Sequence, residues 1–407
     1  MLLDQMAKKP PKIKRWTLVQ PVEWADSYVS MSEIYSSIAC NLDTHILQAA
    51  LPLFEQEKVE AIEWSFDTLY RFDEVPAWFT DLVSEFSSHN RLVGHGVYFS
   101  LFSGKWSTGQ QEWLDKLKKL SGEYNFDHIT EHFGFMTGED FHKGAPIGIP
   151  LTSRTLALGN DRLRRIQDAC QCPVGLENLA FSYSIDEVRK HGTFLDQLVE
   201  SVNGFIILDL HNLYCQVHNF NIDFADILRL YPLNKVREIH ISGGSWEDTM
   251  TPPHMPVRRD THDESVPEAV FEYLGKVIPQ CPNLKFVVLE QMGTALATPA
   301  SQAAFQSDFL RMDRIVKSLA RKSLPIPAHL FAPLAGRANP VPLEDPDLHK
   351  QQMQLSHILE TAANVSEAKA MLRSSDLHNS AWEVENWAPY MLETAMAIAQ
   401  KWKNGFV

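Results

Sequence analysis

The segment Phe205–Asn219, FIILDLHNLYCQVHN, restricts what this chain can become more than any other stretch. Phe205, Ile206, Ile207 and Leu208 form a run of apolar and β-branched residues, the pattern of a strand covered on both faces. The run stops at Asp209, with His211 and Asn212 beside it, and all three side chains are able to bind a metal. The same design recurs along the chain: a short apolar run that ends in His, Asp or Glu.

In order, strands are predicted at Trp16–Val19, Val59–Trp64, Arg91–His95, Phe126–Thr130, Cys172–Leu176, Phe205–Leu208, Val236–Ile239 and Lys285–Leu289. Helical spacing falls between them: Met31–Phe54, Pro76–Ser88, Gln110–Leu120, Thr155–Cys170, Ile185–Val202 with a break near Gly192, Asp223–Leu230, Pro267–Val277 and Ala303–Lys322. Two long loops, Gly134–Pro150 and Gly243–Glu264, are long enough to be functional. Parallel strands alternating with helices, each strand delivering a polar residue at its C-terminal end, describe the active face of a (β/α)8 TIM barrel. The barrel is expected over residues 1–322. A proline-rich linker would span 323–346, and a small C-terminal helical extension 347–407, with helical patterns at Gln351–Leu372 and Trp387–Trp402 and no strand.

The formal net charge of -14 argues against a phosphate-backbone binder, so nucleic acid is not an expected partner. The five cysteines, Cys40, Cys170, Cys172, Cys215 and Cys281, contain no CxxC pair and read as reduced core thiols. The start, MLLDQMAKKPPKIKRW, has lysines but no apolar stretch after them, so no signal peptide is expected, and no run is long enough for a membrane span. A cytoplasmic location is the expectation.

The residues at the strand ends and in the loops are His95, His132, Glu177, Asp209, Asn212, His240, Asp260, His262 and Glu290. A single buried histidine at a strand end is more often a satisfied core residue than a ligand. Many carboxylates and imidazoles on one face are different, because the carboxylates repel one another and resist desolvation. Cations resolve that conflict, and imidazole with carboxylate but no thiolate suits iron, manganese or zinc. The set is large enough for two metals or three, and Glu177, on a middle strand, is a natural bridge. In Asp260-Thr261-His262, an extended backbone would point both outer side chains the same way. A solvated polar loop is the alternative there.

Several short motifs occur in one order: Gly94-His95-Gly96-Val97 with Ser100, Thr130-Glu131-His132, Leu176-Glu177-Asn178, Leu208-Asp209 with Asn212 and Tyr214, His240-Ile241-Ser242-Gly243, Asp260-Thr261-His262 and Leu289-Glu290. Together, over roughly Leu18–Leu319, they resemble the DUF692 family of multinuclear non-haem iron-dependent oxidative enzymes, which includes the methanobactin biosynthesis oxidase. The resemblance implies a TIM barrel holding two or three irons in mixed Fe(II)/Fe(III) states. O2 would be the co-substrate in oxidising a residue of a ribosomally made precursor peptide, often Cys and sometimes Asn or Asp. By motif, His95, His132 and Glu177 would hold one iron. Glu177, Asp209, His240 and Glu290 would hold a second, and Asn212, Asp260 and His262 would complete a third, more labile position. Glu131 and His142 are candidates for proton transfer or support, and His211 for an extra ligand, a proton donor or a supporting residue.

This chain departs from the family pattern at several points. Thr130 stands where Ser is usual, His211-Asn212 where Asn-Asn is usual, and Gln291-Met292 where an Arg-Asp-like pair is usual. The first strand lacks the customary glycine and arginine. Relatives commonly work with a small partner protein that recruits the peptide; the C-terminal helices would do that in cis, dock such a partner, or simply pack on the barrel. A redox-inert divalent-metal isomerase or hydrolase resembling xylose isomerase or endonuclease IV is the rival reading. A binding module that has lost catalysis is a second.

Overall fold

Strands built from Ile, Val, Leu and Phe must be covered on both faces, and closing them into a ring inside a layer of helices achieves this. In a computed structural model describing residues 34–72, 74–138, 143–319 and 330–404, eight parallel strands close in chain order. They are β1 (Tyr35–Cys40), β2 (Ala61–Trp64), β3 (Leu92–Gly96), β4 (Phe126–Glu131), β5 (Val174–Glu177), β6 (Phe205–Asp209), β7 (Val236–Ile241) and β8 (Phe286–Leu289), with β8 pairing back on β1. Around them run α1 (Thr44–Glu55), α2 (Ala77–Ser88), α3 (Thr108–Glu123), α4 (Ser153–Cys170), α5 (Ile185–Glu200), α6 (Leu210–Phe220), α7 (Phe224–Leu228), α8 (Glu268–Val277) and α9 (Pro299–Leu319). Asp43, Ser107, Thr152 and Ser184 begin four of these helices by accepting backbone N–H groups that have no partner within the helix. The expected (β/α)8 barrel is the observed one.

Alternation along the strands sorts the side chains. Ile206 and Leu208 of β6, Ile239 and Ile241 of β7, and Val287 and Leu289 of β8 join the core shared with the helices. Their neighbours Asp209, Glu238, His240 and Glu290 meet other polar groups instead, and do so away from solvent. An apolar strand with one polar parity is therefore what delivers the site.

Several expectations change. The barrel's first strand is β1, inside the segment expected to be helical from Met31 to Phe54; the predicted strand at Trp16–Val19 lies outside the described residues. Its six residues YSSIAC do not read as apolar, yet Ser36 and Ser37 are buried, and their hydroxyls donate to Asp313 and to the Ala61 carbonyl. Helix α5 runs unbroken through Gly192, where a Cβ would lie 2.2 Å from the Leu230 carbonyl oxygen. That glycine answers a close approach rather than ending a helix. Helix α6 follows β6 directly because Asp209 is also its N-cap, accepting the Asn212 amide at 2.6 Å. Each long loop holds a two-stranded hairpin, Phe135–Met136 with Pro146–Ile147 and Trp246–Asp248 with Pro256–Arg258. The free cysteines are buried except for the half-buried Cys172. No described helix is long and apolar enough to cross a membrane.

After the barrel, residues 330–345 form neither helix nor strand and run along α4: Leu334 N donates to Gln167, Ala338 N to Asp168, and Arg162 to the Leu343 carbonyl. Three helices follow, α10 (Pro346–Thr361), α11 (Val365–Arg373) and α12 (Pro389–Trp402). The single pattern expected over Gln351–Leu372 is two helices, separated where Asn364 caps the second. They share one apolar core with the barrel helices and reach its loops. Trp387 stacks on Tyr183 at 3.6 Å and 8°, the Gly144 amide donates to the Trp402 carbonyl at 3.0 Å, and Glu393 accepts the amides of Met250 and Thr251 at 2.8 and 2.9 Å.

At the opposite end of the barrel, Phe331 packs with Phe205 and Ile207, its ring centroid 5.7 Å from that of Phe205. It is 4% exposed. Phe331→Ala should lower the unfolding free energy by about 3–5 kcal/mol in urea denaturation while leaving metal content unchanged.

Candidate metal centre

Strand ends bring the predicted residues together at the C-terminal mouth. Ligand-capable atoms of His95, His132 and Glu177 lie within 4.8 Å of one another, as do those of Glu177, Asp209, His240 and Glu290. Glu177 belongs to both groups, with Oε2 at 3.6 Å from His95 Nε2 and 3.5 Å from His132 Nε2. Asp209 and His240 are paired partners across β6 and β7.

The tautomer of His95 follows from its neighbour. Thr130 Oγ1 donates to the Gly94 carbonyl at 3.2 Å, so at 2.8 Å it accepts from His95 Nδ1–H. The lone pair of Nε2 is left facing the mouth, 3.2 Å from His132 Nε2. Burial holds both imidazoles below their ordinary pKa, so both are neutral. Two neutral ring nitrogens meeting beside a carboxylate oxygen form a cation's coordination sphere more naturally than a hydrogen bond.

His240 stands among carboxylates at ion-pair distance, and neither ring nitrogen has a hydrogen-bond partner. Its Nε2 faces Glu63 Oε2 at 3.1 Å and Glu238 Oε1 at 3.7 Å, and Nδ1 faces Glu290 Oε2 at 3.2 Å and Glu177 Oε1 at 3.9 Å. Below it, Glu238 pairs with His128 at 2.7 Å and His128 with Asp127 at 2.9 Å, and Asp127 is bound by Arg237 at 2.6 Å and by Lys285. The barrel axis is thus filled by ionisable groups where aliphatic layers are usual. Glu63 and Glu238 are a further trio with His240 whose ligand-capable atoms lie within 4.8 Å of one another. Their positions inside strands give one sequence signal, a charge interrupting an otherwise apolar run.

Positive charge in the mouth comes, among the described residues, from histidines alone: burial acts downward on His240 and His262, but the carboxylates around them outweigh it and hold both above the ordinary imidazole pKa. Among the described residues, no lysine or arginine is ion-paired with Glu177, Asp209, Asp260 or Glu290; Glu177, Asp260 and Glu290 pair with histidines. Burial pushes Glu177 well above the carboxylate range, only partly offset by His240. Burial, and then the charges of Asp260 and Glu290, raise Asp209 to about 8. For Glu290 burial acts upward too, but His240 and His262 outweigh it and the carboxyl is lowered. Asp209 Oδ2 and Asn212 Oδ1 are buried without a hydrogen-bond partner, while Asn212 Nδ2 donates to Glu177 Oε1 at 3.1 Å. The neutral imidazoles of His95 and His132, the orphaned carboxylate and amide oxygens and the lack of a thiolate fit a hard or borderline divalent cation.

The third group is looser and partly exposed. His262 Nε2 lies 2.9 Å from Asp260 Oδ1 and 3.9 Å from Glu290 Oε2. An extended backbone does not bring them together, since His262 has φ 53°, and this left-handed turn folds its ring back over Asp260. His211 is fully buried on the first turn of α6 and touches Asp260 rather than the mouth. Both Glu131 oxygens accept backbone amides, of Phe99 at 3.2 Å and His132 at 2.8 Å, which braces the loop after β3. His142 lies outside the described residues.

The sequence profile of a family described as RiPP precursor modification enzyme MbnB/TglH/ChrH matches residues 70–298, more than half of the chain. Curated relatives include the UPF0276 protein of Caulobacter vibrioides, 25% identical over 179 residues, 44% of this chain and 60% of that protein. The UPF0276 protein of Chromobacterium violaceum is 28% identical over 185 residues, 45% of this chain and 64% of that protein. The chain thus spans less than two thirds of the length of these relatives. Among solved structures, an L-ribulose 3-epimerase gives a TM-score of 0.45 at 13% identity, covering 71% of this chain and 96% of its own. A xylose isomerase-like TIM barrel protein from Mycobacterium smegmatis in complex with magnesium gives 0.44 at 10%, covering 70% and 98%.

Glu177→Gln should move two stabilities in opposite directions. In metal-free protein the variant gains about 1–3 kcal/mol at neutral pH, because it removes a carboxylate that burial disfavours as an anion. The gain fades as pH falls through the ordinary carboxylate range, where wild-type Glu177 is protonated in both folded and unfolded chains. The rise in melting temperature on adding ferrous iron anaerobically should shrink in the same variant; calorimetry at two pH values with and without metal reads both.

Proposed function

The chain belongs to the MbnB/TglH/ChrH family of RiPP precursor modification enzymes, and on that premise we propose that it is an iron-dependent oxidase of a ribosomally made precursor peptide, with O2 as the electron acceptor. The observation carrying this reading is the shared carboxylate of Glu177 between two ligand groups, one rich in imidazole and the other in carboxylate.

In this proposal His95, His132 and Glu177 hold one iron, Glu177, Asp209, His240 and Glu290 a second, and Asn212, Asp260 and His262 a third. Iron bound there supplies one-electron chemistry with O2 that no side chain offers. The protein's own groups do the positioning. Thr130 keeps the His95 Nε2 lone pair turned to the mouth, and Glu63 pairs with His240 at 3.1 Å. Asn212 holds Glu177 by one amide proton at 3.1 Å. Glu131, tied to two backbone amides, keeps the β3 loop in place. Cysteine is the expected target residue, because its thiolate ligates iron more strongly than an Asn or Asp side chain. Trp246, Met250 and Met292, exposed on the loops after β7 and β8, give the mouth an apolar rim suited to a peptide.

Protein purified without oxygen and incubated with a short peptide encoded beside its gene is the test. Two or three irons per chain by elemental analysis, with a change in peptide mass only when O2 is admitted, is the expected result. Complete turnover without an oxidant, or full activity of a colourless magnesium or zinc protein, would sink the proposal.

A further inference from the structure

His211 stands where the resembled family carries asparagine, and the surrounding contacts show what an imidazole does there. Its Nδ1 lies 3.0 Å from Asp260 Oδ1 and its Nε2 lies 3.3 Å from Arg258 Nε. A guanidinium can only donate, so His211 Nε2 accepts and the ring proton sits on Nδ1. The imidazole therefore donates to Asp260 in one fixed tautomer. Both members are sealed from water, His211 at 0% and Arg258 at 4% exposure.

Arg258 is itself fixed from several sides. Its backbone amide donates to Asn219 Oδ1 at 2.7 Å and its carbonyl accepts from Asn219 Nδ2 at 2.9 Å, a two-bond clasp between the Pro256–Arg258 strand and α6. Its guanidinium carbon lies 5.4 Å from the Tyr214 ring centroid and 5.5 Å from that of Trp246. Gly244 leaves room for the imidazole, since a Cβ there would stand 2.9 Å from His211 Cε1. Every donor to Asp260 addresses Oδ1: His211 at 3.0 Å, Ser242 Oγ at 3.4 Å and His262 Nε2 at 2.9 Å. Among the described residues none reaches Oδ2, which is left for a ligand.

We propose that Arg258 and His211 are positioning residues that fix Asp260, and His262 through it, so that occupation of the third metal position depends on a hydrogen-bond chain anchored in the Trp246–Arg258 hairpin. This rests on the reading that Asp260 and His262 bind metal. The chain acts through orientation: Arg258 sets the tautomer, His211 presents one N–H, and Asp260 is held with one oxygen occupied and the other free. Outer hydrogen-bond partners of this kind are commonly worth about 10- to 100-fold in metal affinity.

The experiment is anaerobic titration of the metal-free full chain with ferrous iron, with bound iron counted by elemental analysis. His211→Phe keeps a flat ring without hydrogen bonds, His211→Gln restores one acceptor and one donor, Arg258→Met frees the tautomer, and Asp260→Ala removes the ligand. The weakest-bound iron should be lost in Asp260→Ala and bound about 10- to 100-fold more weakly in His211→Phe and Arg258→Met, with the tighter irons unchanged. His211→Gln should recover most of that affinity, a rescue that a merely space-filling role does not predict. If His211→Phe does not fold, the comparison of Arg258→Met with wild type and His211→Gln carries the same test. Loss of an iron in Asp260→Ala but in neither His211→Phe nor Arg258→Met overturns the relay and leaves the metal reading standing. An unchanged iron count in Asp260→Ala overturns both.

Discussion

Among the described residues, carboxylates in the mouth of this barrel are ion-paired with histidines and with no lysine or arginine. Desolvated anions at such spacing are costly, and the folded chain has only two ways to bear them: take up protons, or take up cations. The raised pKa values of Glu177 and Asp209 describe the first way, and the turned-in lone pair of His95 prepares the second. Everything nearby serves that choice. Thr130 orients the His95 ring, Asn212 steadies the shared carboxylate, and Asp209 ends a strand and begins a helix with the same side chain.

Among the described residues, arginine and lysine enter this network at the far end of the axis. Arg237 and Lys285 neutralise Asp127, which supports His128, which in turn pairs with Glu238 beneath His240. Burial would raise Asp127, but His128 and these two cations outweigh it and hold the carboxyl low. The barrel therefore separates a floor balanced by arginine and lysine from a rim whose carboxylates are paired with histidines. A chain with arginine or lysine among the rim residues would fold more easily and bind metal less well.

What the sequence made legible follows from this geometry. Seven of the barrel's strands were readable because their outward parity is apolar, and the inward residues at their tips were readable because a ligand-type residue closing an apolar run is conspicuous. β1 was not, since Ser36 and Ser37 satisfy their hydroxyls internally and so leave no hydrophobic signature. Glu63 and Glu238 were missed because a charge inside a strand reads as a solvent-facing position, and only closure of the ring turns it inward. The tautomer chain through Arg258 has no local signal, since its members come from α6, a hairpin and a loop. The union of Asp260 and His262 was expected from extended backbone, but a left-handed residue brings it about.

The helices beyond the barrel tie down its rim: α12 grips the turn of the Trp246–Arg258 hairpin through Glu393, and Trp387 clamps Tyr183 in the loop after β5. During synthesis the eight strands emerge well before residues 346–402, so a nascent chain can close its ring while these loops still lack their anchors. Maturation of the rim is therefore a late event in the life of the polypeptide. A truncation or cleavage near residue 346 would leave a complete ring with an unfinished doorway.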